Sequence, residues 1–190
     1  MRYFTVMGHR PALWLLLLPL LLAACALQPP VPPRPARAAI DSFSLEGRLA
    51  LRQGERPYHA GISWRHDIQR DEILLTGPLG QGIAELDRDP RGARLTTSEG
   101  KVHQAPDWAA LAEEVLGLTL PLNELPRWLA ARVEARSRDE QGRPRRAWVD
   151  GWQIDYLDYE SDSEDALPTL LEMRRDDIDL RLKIDQWQLP

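Results

Sequence analysis

From Phe43 onward, apolar and polar residues alternate with a period of two over most of the chain, the pattern of strands with one face buried and one face in water. Phe43, Leu45, Leu49 and Leu51 define a first strand, and Tyr58, Ala60, Ile62 and Trp64 a second. Further strands are predicted at Glu72 to Thr76, Ile83 to Asp87, Ala93 to Ser98 and Lys101 to Gln104. After an interruption the pattern resumes at Val133 to Arg138, Arg145 to Val149, Trp152 to Tyr159, Thr169 to Arg174 and Ile178 to Gln188, which makes about eleven strands in all. In the last of these, Ile178, Leu180, Leu182 and Ile184 alternate with Asp179, Arg181, Lys183 and Asp185.

The interruption has the period of helices. Asp107 is placed to cap a helix in which Trp108, Leu111, Ala112, Val115 and Leu116 share one face, and Gly117 supplies its stop. A second, shorter helix is expected from Asn123 to Ala131, with Leu122, Leu125, Trp128 and Leu129 inward and Pro126 tolerated in its first turn. A sheet of this many strands has to curl or close. The expected fold is therefore mainly β with two or three short helices, a curled, incomplete antiparallel β-barrel with a helical cover over an apolar cavity.

The N-terminus is of a different kind. Arg2, His9 and Arg10 precede an apolar run from Leu13 to Leu22, and Leu22-Ala23-Ala24-Cys25 closes it, a sequence that resembles a bacterial lipobox with Cys25 as the lipid acceptor. The apolar run is half the length that a spanning helix needs and contains Pro19. Residues 1–24 are thus expected to be a removable lipoprotein signal, and residues 25–40 a lipidated cysteine followed by an extended Pro-rich spacer. Residues 41–190 remain for a single lipid-binding domain. Cys25 is the only cysteine, so no structural disulfide can form. No cofactor is expected beyond the covalent lipid on Cys25. The residue after Cys25 is Ala26 rather than the Asp that retains enterobacterial lipoproteins at the inner membrane, which implies an outer-membrane destination facing the periplasm.

Removal of the signal takes away Arg2 and Arg10 and no acid, leaving 22 basic against 29 acidic residues and a formal charge of −7. That balance argues against nucleic acid and against electrostatic adsorption to anionic lipid. Catalysis is not expected either. His59, His66 and His103 fit no metal-ligand spacing and read as solvated strand positions; the serines lack a Gly-x-Ser-x-Gly elbow; and the acidic run Glu160 to Asp165 reads as a solvated hairpin loop.

Several motifs in order resemble one family. They are Gly47-Arg48-Leu49-Ala50, Trp64, the loop Thr76-Gly77-Pro78-Leu79-Gly80, Leu116-Gly117 through Leu120-Pro121-Leu122 to Trp128-Leu129, the run from Gly151 to Tyr159, Leu167-Pro168, and Leu182-Lys183-Ile184-Asp185-Gln186-Trp187. Together with the lipobox they resemble the outer-membrane lipoprotein receptor family LolB. Two features depart from it: the segment from Ala36 to Asp41 leaves little room for the helix that many members carry before the first strand, and Ala130-Ala131 stands where a Gly commonly follows the Trp-Leu pair. The resemblance implies a monomeric receptor that accepts triacylated lipoproteins from the periplasmic carrier LolA and inserts them into the inner leaflet of the outer membrane. A generic outer-membrane lipoprotein, serving as a scaffold or as the carrier of another hydrophobic ligand, is the alternative.

Two sets of site residues follow. In the loop Gly77, Pro78, Leu79 and Gly80, Leu79 either tucks back onto the core or projects; the resemblance implies that it projects and helps deliver cargo into the membrane. Candidate lining of the acyl cavity is Leu45, Leu49, Ile62, Trp64, Leu74, Trp108, Leu116 and Trp128, read from alternation and from the helical cover. The tryptophans Trp64, Trp108, Trp128, Trp148, Trp152 and Trp187 either line that cavity or fill an ordinary core.

Overall fold

Each run of period-two alternation forms a strand, because that spacing sends alternate side chains to opposite faces of a sheet. The computed structural model describes residues 34–117 and 120–190, apart from the side chain of Leu116. The expected signal, Cys25 and the first part of the spacer lie outside the described residues. The strands are β1 (Phe43–Gln53), β2 (Arg56–His66), β3 (Asp71–Thr76), β4 (Gly82–Asp89), β5 (Gly92–Thr97) and β6 (Val102–Ala105), then β7 (Ala135–Arg138), β8 (Pro144–Val149), β9 (Trp152–Tyr159), β10 (Pro168–Arg175) and β11 (Ile178–Gln188). They form one antiparallel sheet in the order β6-β5-β4-β3-β2-β1-β11-β10-β9-β8-β7. Neither β6 nor β7 continues the sheet, so it is unclosed.

The two halves meet where β1 pairs with β11, from Ser44 opposite Gln188 to Gln53 opposite Ile178. The register shifts between Glu46 and Gly47, and there the chains approach so closely that a Cβ on Gly47 would stand 2.2 Å from the Lys183 carbonyl oxygen. Only glycine fits that bulge. Residues as far apart across the sheet as Ile73 of β3 and Ala147 of β8 belong to one apolar cluster with the helices, which requires the sheet to wrap around them. The outer face is a lattice of ion pairs, among them Arg48 with Asp185, Arg65 with Glu72, and Arg181 with Glu172.

Between β6 and β7 the chain crosses the inner face as α1 (Trp108–Leu116) and α2 (Leu125–Leu129). The Asp107 carboxylate accepts from the Ala110 N–H at 2.8 Å, and Gly117 ends α1 with φ 65°. The second helix is shorter than the expected Asn123 to Ala131: a turn in which the Pro121 carbonyl accepts from Glu124 and Leu125 replaces its first residues. Its end is a Schellman motif, with Arg132 N–H donating to the Arg127 carbonyl and Ala131 at φ 51°. This is the left-handed position that glycine favours and where Ala130-Ala131 departs from the family pattern.

Two further expectations change. The spacer does not stay extended to Ala39: Arg37–Ala39 form a 3-10 turn, Arg37 binds Asp165 and the Glu164 carbonyl, and Ile40 is buried in the core, so the fold starts before Asp41. His66, expected to be solvated, is also drawn inward. Its Nδ1 lies 2.6 Å from Asp71 Oδ1, and the same carboxylate accepts from Trp64 Nε1 at 2.8 Å and from Arg88. The partners come from β2, β3 and β4, so strand alternation alone does not reveal them. Burial by itself would raise the Asp71 carboxyl, but its hydrogen bonds to His66, Trp64 and Arg88 outweigh that and hold it below the usual carboxylate range.

Relieving the left-handed alanine with Ala131→Gly is expected to raise stability by about 1 kcal/mol, read as a higher urea midpoint at unchanged slope; no gain would mean that the motif is unstrained. Asp71→Ala is expected to cost about 3 to 5 kcal/mol at neutral pH by leaving buried partners uncompensated. Because the folded Asp71 carboxyl lies below its unfolded value, its contribution is complete above about pH 4 and is lost as pH falls through the folded value. Urea melts from pH 7 down to pH 2 should therefore show the variant and the parent converging, and curves that stay parallel would exclude Asp71 from acid stability.

Candidate functional site

The loop between β3 and β4 is built to hold one side chain away from the protein. Gly77 N–H donates to the Gln81 carbonyl at 2.8 Å and Gly80 N–H to the Gly77 carbonyl at 2.9 Å, with Pro78 in the second position of the turn and Gly80 at φ 80°. The Gln81 side chain folds back over Gly77, and its Oε1 accepts from the Leu79 N–H at 3.1 Å. The loop is therefore braced by its own backbone and by Gln81. Leu79, at its tip, is 93% exposed, more than any other large apolar residue among the described residues. It does not tuck back onto the core.

The inner face of the sheet is the second element. Leu45 and Trp64 are cross-strand partners and both are buried; Ile62 is buried opposite Gly47, and Leu49, opposite Ala60 and Leu182, is partly buried against the same cluster. Trp108 and Trp128 are buried among them, brought in by the two helices. Leu74 is not part of this set. It pairs with Ser63 and Glu85 on the outer face, while Ile73 and Leu75 point inward. Three successive apolar residues, Ile73, Leu74 and Leu75, left the parity of β3 open, and pairing with Trp64 and Ile62 decides it. The side chain of Leu116 lies outside the described residues.

Half of the inner face comes from residues that the candidate set omitted. Trp152, Ile154 and Tyr156 of β9, Leu171 and Met173 of β10, and Leu180, Leu182 and Ile184 of β11 are all buried there. Their alternation is as regular as that of β1 and β2 and would have identified them. Trp148, by contrast, faces outward.

Part of the expected cover is packed down on the inner face. Trp128 of α2 packs on Trp152 with ring centroids 6.3 Å apart, and Tyr156 donates its hydroxyl to the Trp128 carbonyl at 2.8 Å. Burial pushes the Tyr156 phenol above its ordinary range, so it stays a neutral donor. Where the cover meets the start of β1, a cleft of about 320 Å³ stays open, lined by Ile40, Phe43, His66, Leu122, Pro126 and Arg132 among others. The arrangement is an apolar surface under a helix of five residues, in a fold that presents one bare leucine.

Comparison with known proteins agrees with this geometry. The sequence profile of the family described as "Outer membrane lipoprotein LolB" matches residues 41–187. The outer-membrane lipoprotein LolB of Dechloromonas aromatica is 42% identical over 183 residues, covering 92% of this chain and 95% of that protein. The protein of the same name from Azoarcus sp. is 38% identical, with coverage of 89% and 90%. Among solved structures, a LolA superfamily protein of Nitrosomonas europaea has the same fold at 10% identity, with a TM-score of 0.51 over 80% of this chain and 87% of its own. This chain belongs to the LolB family of outer-membrane lipoproteins.

Proposed function

We propose that this protein is the outer-membrane receptor that takes acylated lipoproteins from the periplasmic carrier LolA and passes them into the inner leaflet of the outer membrane, held there by lipid on Cys25. The observation that carries the proposal is the covered inner face: an apolar surface large enough for acyl chains, closed by a helix of five residues, Leu125–Leu129. Cargo acyl chains would take the place of the Trp128 and Leu129 contacts, so loading exchanges one apolar contact for another. The exposed Leu79 supports a delivery step at the bilayer. Burying one leucine is worth about 1.5 to 3 kcal/mol, enough to orient the domain on a leaflet but not to anchor it.

Transfer without a nucleotide has to run downhill. A difference of about 1.4 kcal/mol biases each step tenfold, so the receptor need bind acyl chains only slightly better than the carrier does and slightly worse than the bilayer. The second reading is a scaffold with no lipid site, in which the contact of Trp128 with Trp152 is ordinary core packing. The two part in one experiment. The Cys25→Ala form without residues 1–24 is mixed with LolA carrying a labelled lipoprotein, and one-way movement of label to the receptor is expected; retention on LolA by a folded receptor would leave the scaffold reading. Leu79→Glu should keep uptake and urea stability but slow release into liposomes by about tenfold or more. Release at the parental rate would remove Leu79 from the delivery step.

A further inference from the structure

The strand register sorts every hairpin to one of two ends of the sheet. Five turns share the Leu79 end: those joining β1 to β2, β3 to β4, β5 to β6, β8 to β9, and β10 to β11. Direct bonds tie neighbours together there, Gly54 N–H to the Asp177 carbonyl and Ser98 N–H to the Ile83 carbonyl, each at 3.0 Å. Among the described phenylalanine, tyrosine and tryptophan residues only two are exposed, Tyr58 at 49% and Trp148 at 54%. Both lie at this end. Tyr58 pairs with Leu51, beside the Gly54 turn, and Trp148 pairs with Gln153, beside the Asp150-Gly151 turn. Val102, the exposed first residue of β6, is there too, whereas Ile68 occupies the opposite end.

We propose that this whole end, and not Leu79 alone, is a membrane-facing rim, with Tyr58 of β2 and Trp148 of β8 seated at the headgroup level of a zwitterionic phospholipid leaflet along the arm of the sheet that runs from the inserted leucine toward β7. The inference rests on the receptor reading above and extends it. Tryptophan and tyrosine favour that depth because each has an apolar ring and a polar tip. Charge selects the kind of leaflet. The turns and strand ends here carry Glu55, Glu99, Asp150, Asp176 and Asp177 against Arg56, Lys101 and Arg175, an acidic excess that gives no attraction to anionic lipid. The stretch from Thr76 to Ile83 has no charged residue at all, so it is the part that can enter hydrocarbon. The chain enters the domain at the far end, where Arg37 binds Asp165, and twelve residues, the number from Cys25 to Arg37, would reach about 37 Å if extended at about 3.1 Å each, comparable to an eleven-residue strand.

The test uses the mature chain with Cys25→Ala and one new cysteine at a time, Tyr58→Cys, Leu79→Cys, Trp148→Cys or Ile68→Cys, each labelled with a polarity-sensitive dye and mixed with phosphatidylcholine–phosphatidylethanolamine vesicles. The dye is expected to shift to the blue at 58, 79 and 148 and to stay unchanged at 68. In vesicle co-sedimentation of the unlabelled chain, Trp148→Ala and Tyr58→Ala should each weaken binding about fivefold, which corresponds to about 1 kcal/mol. Binding should persist in about 0.5 M salt, where the Debye length is only a few Å. A response at 79 alone would overturn the rim while leaving the leucine loop in place; a response at 58 and 148 without one at 79 would support the rim and remove the loop from the receptor reading. A shift at 68, a shift that needs no vesicles and so reports a second copy of the chain, or a requirement for anionic lipid would each overturn the proposal.

Discussion

The first and last strands of the domain pair with each other along their whole length, and the rest of the fold hangs on that pairing. β2 to β6 extend from β1 as one arm of the sheet, and β10 to β7 extend from β11 as the other. Joining strands whose near ends, Gln53 and Ile178, are more than a hundred residues apart costs about 4 kcal/mol in loop closure. The return is an uninterrupted inner face: Leu45, Leu49 and Leu51 of β1 lie beside Leu180, Leu182 and Ile184 of β11 in one cluster. Gly47 sits at the middle of this seam, where the strands shift register and no side chain fits.

The two faces of the sheet have opposite characters, and this decides which can handle lipid. Outward, Asp155 illustrates the pattern: burial alone would raise its carboxyl, but hydrogen bonds from Arg146 and Gln153, and the charge of Arg146 and Arg174, hold it low and ionised. Surface pairs of this kind add little to stability; they keep the outer face wet. Inward, α2 is held by the Tyr156 hydroxyl donating to the Trp128 carbonyl, and just beyond its end Arg132 donates to the Ile40 carbonyl and pairs with Asp41. A left-handed alanine at the end of α2 leaves that segment less than optimally held.

The strands were legible in the sequence because half-burial writes a period of two into every one of them, down to the short β6. The capped α1 was legible for a similar reason: Asp107 and Gly117 are local signals that need no tertiary partner. What was not legible depended on pairing. The parity of β3 needed Trp64 and Ile62 of the neighbouring strand to assign Leu74 outward, and although the alternation of Ile62 and Trp64 extends to His66, its contact with an aspartate from β3 that also binds an arginine from β4 was not legible. The Pro-rich spacer hid its last residues in the same way, since nothing near Arg37 in sequence announces a bond to Asp165, 128 positions away. The loop of Leu79 lay between these cases: its turn chemistry was plain, but whether its leucine projected could be decided only by where the core ended.

An unclosed sheet has two bare edges, and a lipid-anchored protein confronts copies of itself at high local concentration on a surface, where weak edge-to-edge pairing would be amplified. Here the edges are blunted differently. On β6, α1 lies alongside, with His103 held 3.0 Å from Glu114 of the helix. On β7, the strand is four residues long and carries exposed Arg136 and Arg138, so two such edges brought together would oppose like charges. The same shortness that makes β7 a poor template for a neighbouring strand works against polymerisation through the sheets where many copies crowd on one membrane.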